Sequence, residues 1–590
     1  MHQTRKAIIL GIDGADPKIL ESLMAAGRLP HFSRLAAGGS YSPLATVAPP
    51  QSPVVWTTIA TGQDPAAHGI HDFLTRTPGD YQPRLAILKE GKLGYVPPFQ
   101  AKPFWESASD QGHRATILKW PLTFPARPLN GTMLTGLGTP DIRGTLGRYT
   151  FFTSIPGLQT KKGRVVEVAC QGQRIQTELT GPFCLSLRGH KESAVPLEIE
   201  IGADAAVTCR LAHTEFILRP GAWSDWVRLS FKVGFTRRVS GICRFYLESL
   251  APEFRLYVTP INLTNDCTAV PLSYPLHYGK TLSEAIGPFA TLGLAEDANA
   301  LNDEVISEGG FLAGCDRIME ERERIFFHEL KRFDGAMLAN VFDTLDRVQH
   351  LLWRHLDIDH PLHRPSEARE LAGVIPAYYE RLDGILGRVM AGLDRDTLLL
   401  VCSDHGFTSF RQSVHLNSWL VQHGYMALKD DQPAGGELFS DVDWPRTAAF
   451  AFGLNSLFFN VQNRERSGMV PRERLPALQE ELIRKLKTLT HQGQPVIKEV
   501  YAPPEPAGPG RESQAPDLVI GYHADYRASW QTAVGEAPAG AVIEPNLKKW
   551  SGDHCCDPQA VPGILLCNRP HLIRKPHVSE ICPAILDYLS

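Results

Sequence analysis

The sequence predicts an α/β chain: a mostly parallel central sheet flanked by helices, interrupted by a β-rich insertion. Three observations carry this expectation. Short, continuously apolar runs such as Ala7-Ile8-Ile9-Leu10 recur on either side of the middle of the chain, as strands covered on both faces require. Stretches with apolar residues at helical spacing alternate with them. Between about Gly144 and Thr268 the period falls to two, the pattern of antiparallel strands with one buried face.

Taken in order, the first strand runs from Ala7 to Ile12, and a helix follows from Pro17 to about Ala26 with Ile19, Leu20, Leu23 and Met24 on one face. A Gly/Pro-rich stretch leads to a loop through Thr46-Val47-Ala48-Pro49-Pro50-Gln51-Ser52-Pro53, and a helix starts near Val54. In the middle, Leu197, Ile199 and Ile201 alternate with Glu198 and Glu200. Val227, Leu229, Phe231 and Val233 alternate with Arg228, Ser230 and Lys232, and the two runs together predict an antiparallel sandwich or barrel. From about Ser283 the α/β pattern returns: a charged helix over 316–331, a strand over 337–342, a helix over 366–390 and a strand over 397–402. Later strands are expected at 456–461, 518–522 and 564–567, with the Pro-rich segment 503–510 as a surface loop or lid. The expected domains are one α/β core from 1–143 and 283–590, and an inserted β-rich domain over 144–282.

Composition narrows the function. The 590 residues are 43% hydrophobic and 21% charged, as in an ordinary globular protein, and Lys+Arg 60 against Asp+Glu 64 gives a formal net charge of -4. That balance offers no electrostatic footprint for a nucleic-acid polymer or an anionic membrane. No apolar run reaches the length of a membrane span, and the run after Lys6 is too short for the apolar region of a signal peptide. The 11 cysteines form no Cys-x-x-Cys pair, which argues against a zinc ribbon or redox motif and for reduced thiols in the cytoplasm. A chain this long builds a core without metal, so metal would serve chemistry.

Acidic and imidazole side chains fall where the strands end, the edge at which open α/β sheets bind ligands. Asp13 closes the first strand; Asp404 and His405 close the strand ending at Cys402; Asp343 and Asp346 follow the strand ending at Phe342. His350 lies four residues after Asp346, so a helix there puts both on one face, able to grip one ion. His554 sits in a loop before a later strand. Singly each has an ordinary explanation: a helix cap for the aspartates, a solvated helix face for Asp346 and His350, a turn for Ser52 beside Pro53. Their order and common placement at strand ends favour the functional reading. Mixed carboxylate and imidazole donors suit zinc or manganese better than calcium.

With Gly11-Ile12-Asp13-Gly14, the run from Ser52 to Gly62, Asp343-Thr344-Leu345-Asp346-Arg347-Val348-Gln349-His350, Ser403-Asp404-His405-Gly406-Phe407 and Ser551-Gly552-Asp553-His554, the chain resembles the type I phosphodiesterase/nucleotide pyrophosphatase branch of the alkaline-phosphatase superfamily. Within it, the sequence is similar to a subgroup of predicted phosphohydrolases or phosphomutases, over nearly its whole length. The resemblance implies an alkaline-phosphatase-like fold and two divalent ions, zinc or manganese. Asp13, Asp404, His405 and the nucleophile Ser52 would hold one ion, and Asp346, His350 and His554 the other. It implies hydrolysis of a small phosphorylated substrate, a monoester or diester, through a phosphoserine. Two positions depart from the branch. Val55 stands where an asparagine binds phosphate, leaving phosphate recognition unassigned, and the nucleophile is serine where threonine is usual. Lys119 could supply charge, although a solvated lysine is its ordinary reading. Ser52-Pro53-Val54-Val55-Trp56 lacks the sulfatase motif. Two alternatives stay open: a metal-dependent phosphomutase on the same fold, and a non-catalytic binding protein, against which retention of all seven positions speaks. The insertion contributes none of the seven and is expected to shape substrate access. The oligomeric state is not legible.

Overall fold

The computed structural model describes residues 5–590 except 78, 93, 100, 171, 187–188, 212–213, 235, 431 and 504–513. The chain forms two compact units, Met1–Thr116 with Asp334–Ser590, and Ile117–Phe333.

The first unit is built on strands β1 (Lys6–Ile12), β2 (Ser40–Leu44), β3 (Met337–Phe342), β4 (Thr397–Cys402) and β5 (Gly563–Cys567), which lie in the order β2-β5-β4-β1-β3. β1 pairs in parallel with both β3 and β4, and β5 pairs antiparallel with β4 and β2. β3, β4 and β5 are buried at every residue and β1 at every residue but Lys6, which is why their sequences are largely apolar, with Asn340 in β3 and Thr397 at the start of β4 as polar members. Helices α1 (Pro17–Ala25), α2 (Ser52–Thr61), α3 (Thr344–Leu352) and α4 (Val374–Ala391) belong to the same unit. This is the expected α/β class, with a parallel centre and antiparallel pairing toward the β2 edge.

Several elements differ in extent from expectation. The helix expected from Val54 begins at Ser52, because Pro53 fits the first helical turn, where no amide donor is needed. The helix expected over 366–390 is two, Pro365–Leu371 and α4, separated at Ala372 and Gly373. The first of these buries no residue, whereas α4 buries Ile375, Tyr378, Tyr379 and Leu382, so packing supports only the second. The strand expected over 456–461 is Ser456–Phe459. Of the expected loop over 503–510, all but Pro503 lies outside the described residues.

In the second unit a five-stranded, a four-stranded and a three-stranded sheet run through 150–263. Among the described residues their strand pairings are antiparallel except that of Arg164–Glu167 with Thr150–Thr153. Val207–Leu211 and Val227–Lys232 bury alternate residues, as their period of two dictates. The unit extends past 282 because later segments pack on these strands. Tyr257 donates its hydroxyl to Asp297, Trp223 Nε1 donates to Gly310 O at 3.0 Å, and Arg244 pairs with Glu321 at 2.8 Å. The helix carrying Gly310 and Glu321 is Glu308–Lys331, longer than expected and capped by Ser307, whose hydroxyl accepts from Gly310 N. No described helix is long and apolar enough to cross a membrane.

Candidate active site

Strand register makes the first part of the site. Ile12 pairs with Phe342 and Gly11 with Cys402, so the three parallel strands end at one level. Asp13 leaves β1 there, and its amide donates to Phe342 O at 2.9 Å. Asp404 and His405 follow β4, and Asp404 Oδ1 accepts from Gly14 N at 3.1 Å. Asp343 takes the N-cap position of α3.

The second part is α2, buried along its whole length, with Gln51 at its N-cap and Ser52 as its first residue. Trp56, one turn on, donates Nε1 to Asp13 Oδ2 at 2.9 Å. The indole lies so close to β1 that a Cβ at Gly11 would come within 2.6 Å of it, so the approach requires glycine. Ser52 Oγ consequently lies 3.3 Å from Asp13 Oδ1 and 3.2 Å from His405 Nε2.

The third part is α3, whose helical geometry places Asp346 and His350 one turn apart. His350 Nε2 is 3.3 Å from Asp346 Oδ1, and His554 Nε2 is 3.8 Å from the same oxygen. Asp13, Asp346 and His405 offer ligand atoms within 4.8 Å of one another, and so do Asp346, His350 and His554. All seven expected residues (Asp13, Ser52, Asp346, His350, Asp404, His405 and His554) are brought together in the first unit, and all are buried.

Hydrogen bonding fixes how the imidazoles face. Nδ1 of His350 contacts Gly552 O at 2.8 Å, Nδ1 of His405 contacts Gly406 O at 3.1 Å, and Nδ1 of His554 contacts Pro50 O at 2.7 Å. A carbonyl only accepts, so each Nδ1 carries a proton and each ring turns its Nε2 toward the carboxylates, where a neutral ring presents a lone pair. His405 Nε2 lies 3.1 Å from Asp404 Oδ2 and 3.8 Å from Asp13 Oδ1. With neutral rings, acceptors face acceptors across buried space, an arrangement that positive charge reconciles. Protons on all the rings do not supply it, because His405 and His554 stack with centroids 3.5 Å apart. Burial, then His405 and His350, hold His554 well below the usual imidazole range. Ligand atoms bonded to one tetrahedral ion at about 2.0–2.2 Å lie roughly 3.3–3.6 Å apart, close to the spacings here. The donor set fits divalent cations.

The other groups follow suit. Burial, with Asp404 and Asp346 adding repulsion, pushes the Asp13 carboxyl well above the carboxylate range. Burial opposes ionisation of Asp346 too, but His350 and Arg347 outweigh it and hold that carboxyl below the range. For His405, burial opposes the charged form, while Asp404 and Asp346 raise the pKa on balance.

Sequence reasoning left other residues of the site unassigned. Arg347, inside the α3 motif, places Nη1 2.6 Å from Asp346 Oδ2. Asp553, directly before His554, accepts from Arg527 Nη1 at 2.6 Å and Trp550 Nε1 at 2.7 Å, and Trp550 stacks on the His350 ring at 3.8 Å. Arg347, Trp550 and Asp553 were signalled by nearness in sequence to candidate ligands, whereas Arg527, 26 residues before Asp553, was not. Lys119 lies in the second unit, buried, and donates Nζ to Ala290 O at 3.0 Å.

A family model described as type I phosphodiesterase/nucleotide pyrophosphatase matches residues 7–177 and 293–536. Six of the seven residues fall within the match, and His554 lies beyond it. No curated protein matches the chain. Among solved structures, phosphonoacetate hydrolase from Sinorhizobium meliloti in complex with phosphonoacetate is 13% identical with a TM-score of 0.44, covering 100% of this chain and 96% of that one. Murine ectonucleotide pyrophosphatase/phosphodiesterase 5, inactive and in complex with AMP, is 10% identical with a TM-score of 0.41, covering 99% of this chain and 95% of that one. Its human counterpart is 11% identical with a TM-score of 0.40, covering 99% and 95%.

Proposed function

The chain belongs to the type I phosphodiesterase/nucleotide pyrophosphatase family, and from that footing we propose that it hydrolyses a small phosphate monoester or diester through a phosphoserine at Ser52. The observation that carries this reading is the position of the Ser52 hydroxyl, 3.3 Å from Asp13 Oδ1 and 3.2 Å from His405 Nε2 at the start of a buried helix. Two divalent ions, zinc or else manganese, fit the mixed donors: Asp13, Ser52, Asp404 and His405 for one, Asp346, His350 and His554 for the other. When bound, such a pair neutralises phosphoryl charge and lowers the pKa of a hydroxyl at the site.

The residues supply positioning. Trp56 holds Asp13, and Asp13 orients the serine hydroxyl. The first turn of α2 sets the positive end of its dipole beside the serine, where the phosphoryl group would arrive. Ser52 Oγ loses its proton and attacks phosphorus, the bond to the leaving oxygen breaks, and that oxygen takes up a proton, so that an alcohol departs and the proton count is unchanged. Water then attacks the phosphoserine, returning the hydroxyl and releasing phosphate or its monoester. Residues 144–282 supply none of the seven groups, and we assign substrate selection to them. All 11 cysteines are unpaired, which supports placement in the reducing cytoplasm.

A panel of phosphomonoesters and phosphodiesters, assayed on chelator-treated protein with zinc, manganese or magnesium added back, tests the reading. Turnover that returns with zinc or manganese is expected. Full turnover in the chelated protein, or none with any ion, contradicts it.

A further inference from the structure

Behind the serine lies a buried amide–carboxylate network that contributes nothing to the ligand groups. Gln51, the residue before the nucleophile, accepts at Oε1 from Phe73 N at 3.0 Å. Its Nε2 donates to Asp72 Oδ2 at 3.0 Å and to Asn455 Oδ1 at 2.9 Å. Asp72 Oδ2 also accepts from Leu454 N at 3.0 Å and Ser456 Oγ at 3.2 Å. Asn455 Nδ2 donates to Ile520 O at 2.8 Å and to Cys555 O at 3.1 Å. Cys555 follows His554, whose Nδ1 donates to Pro50 O at 2.7 Å. Gly453, at φ 74, permits this closure: a Cβ there would lie 2.5 Å from Asp72 Oδ2.

The side chains of Gln51, Asp72 and Asn455 are all buried with every polar atom bonded. In the ligand cluster, by contrast, Asp346 Oδ1 and Asp404 Oδ2 accept no hydrogen bond, having only the imidazole nitrogens opposite. A saturated network is rigid and specifies one geometry, whereas the unsatisfied oxygens are left for an incoming group. The network joins the segment carrying Ser52 to the segment carrying His554, which belong to the two proposed ion sites. We infer that Asn455, acting through Gln51 and the Cys555 carbonyl, is a positioning residue that fixes Ser52 relative to His554. The inference rests on the proposed function and deepens it.

The test compares wild type, Ser52→Ala, Asn455→Ala and Asn455→Asp, with bis(p-nitrophenyl) phosphate as probe substrate. Zinc affinity is read by chelator competition, and backbone amide exchange at Phe73 is followed separately. Asn455→Ala should lower kcat or zinc affinity about 10–100-fold, the usual effect of losing a group that orients a ligand, with KM within twofold. Phe73 exchange should rise in it. Asn455→Asp, of equal size, keeps the acceptor for Gln51 and loses the donors to Cys555 and Ile520. It should keep Phe73 protected while losing turnover, and it decides the matter if the alanine variant does not fold. A fall in melting temperature with kcat per zinc-loaded site and zinc affinity both unchanged overturns the inference. Loss of turnover in Ser52→Ala alongside an unaffected Asn455 pair overturns only the network. A wild type inactive toward every ester overturns the hydrolase reading, while zinc affinity and exchange still judge the network.

Discussion

The imidazoles of the site give their Nδ1 protons to the carbonyls of Pro50, Gly406 and Gly552, and this commits three Nε2 lone pairs to one buried volume. Asp346 stands within reach of both ligand groups, so it is the most sensitive single carboxylate. Asp346→Asn should lower bound metal by at least one equivalent and turnover by about 100-fold or more, because an anionic ligand is lost. Elemental analysis of the purified variant checks this; wild-type metal content would be the contrary result. A histidine outside the site uses its Nδ1 the opposite way, as an acceptor. His68 is buried with Nε2 3.0 Å from Thr58 Oγ1, and its Nδ1 accepts from Ile70 N at 3.2 Å, a neutral arrangement. Burial, then His71, pushes its pKa down to about 3. The unfolded ring titrates near 6.5, so the unfolded chain binds the extra proton between these values and stability falls as pH drops below 6.5. The slope from this one group is at most about 1.4 kcal/mol per pH unit. In His68→Gln, the difference in urea stability between pH 7 and pH 5 should shrink by roughly 1–2 kcal/mol; an unchanged difference would refute the assignment.

At the scale of elements, β1 and α2 are matched through Gly11 and Trp56. Gly11→Ala puts a methyl into the indole, so the helix must move or the ring must turn. A destabilisation of about 1–3 kcal/mol is expected, with a larger fractional loss of turnover because Trp56 holds Asp13. Wild-type kinetics and denaturation midpoint in this variant would contradict the coupling. These elements were legible to different degrees. β3 and β4 were readable to the residue because strands covered on both faces are apolar along most of their length, Asn340 and Thr397 being their only polar members, and α3 was readable from the Asp346 to His350 spacing. The start of α2 was not, since Gln51-Ser52-Pro53 reads locally as a turn. The break at Ala372 and Gly373 was hidden because the helical pattern continues across it, and the pattern does not show that only the second of the two helices packs on the core. The Gln51–Asn455 contact spans 404 residues, and nothing local marks either amide.

For the whole molecule, Asp13, Asp346, His350, Asp404 and His405 were legible as strand-end and helix-face positions, whereas Ser52 and His554, in loops, were singled out by the family resemblance; the compact units break at 116/117 and 333/334, where no change of composition announces it. The later boundary is set by Asp297, Gly310 and Glu321 bonding back to the β-rich strands, contacts invisible to periodicity. If substrate selection resides in 144–282, replacing those residues with a short linker should abolish discrimination among esters while activity on bis(p-nitrophenyl) phosphate persists. Retained discrimination would count against that assignment. Chelation should also destabilise the chain, by about 2.7 kcal/mol if free metal had stood at a hundredfold its dissociation constant, read as a lower denaturant midpoint restored by zinc. The central claim is that Ser52 is the nucleophile of a metal-dependent hydrolase, and the most direct measurement is turnover of Ser52→Ala at measured metal content. The account predicts metal equal to wild type with turnover lowered about 1,000-fold or more, because one side-chain oxygen is a small part of the coordination and the whole of the nucleophile. Near-normal turnover at equal metal content would mean that water attacks directly and that the phosphoserine does not form.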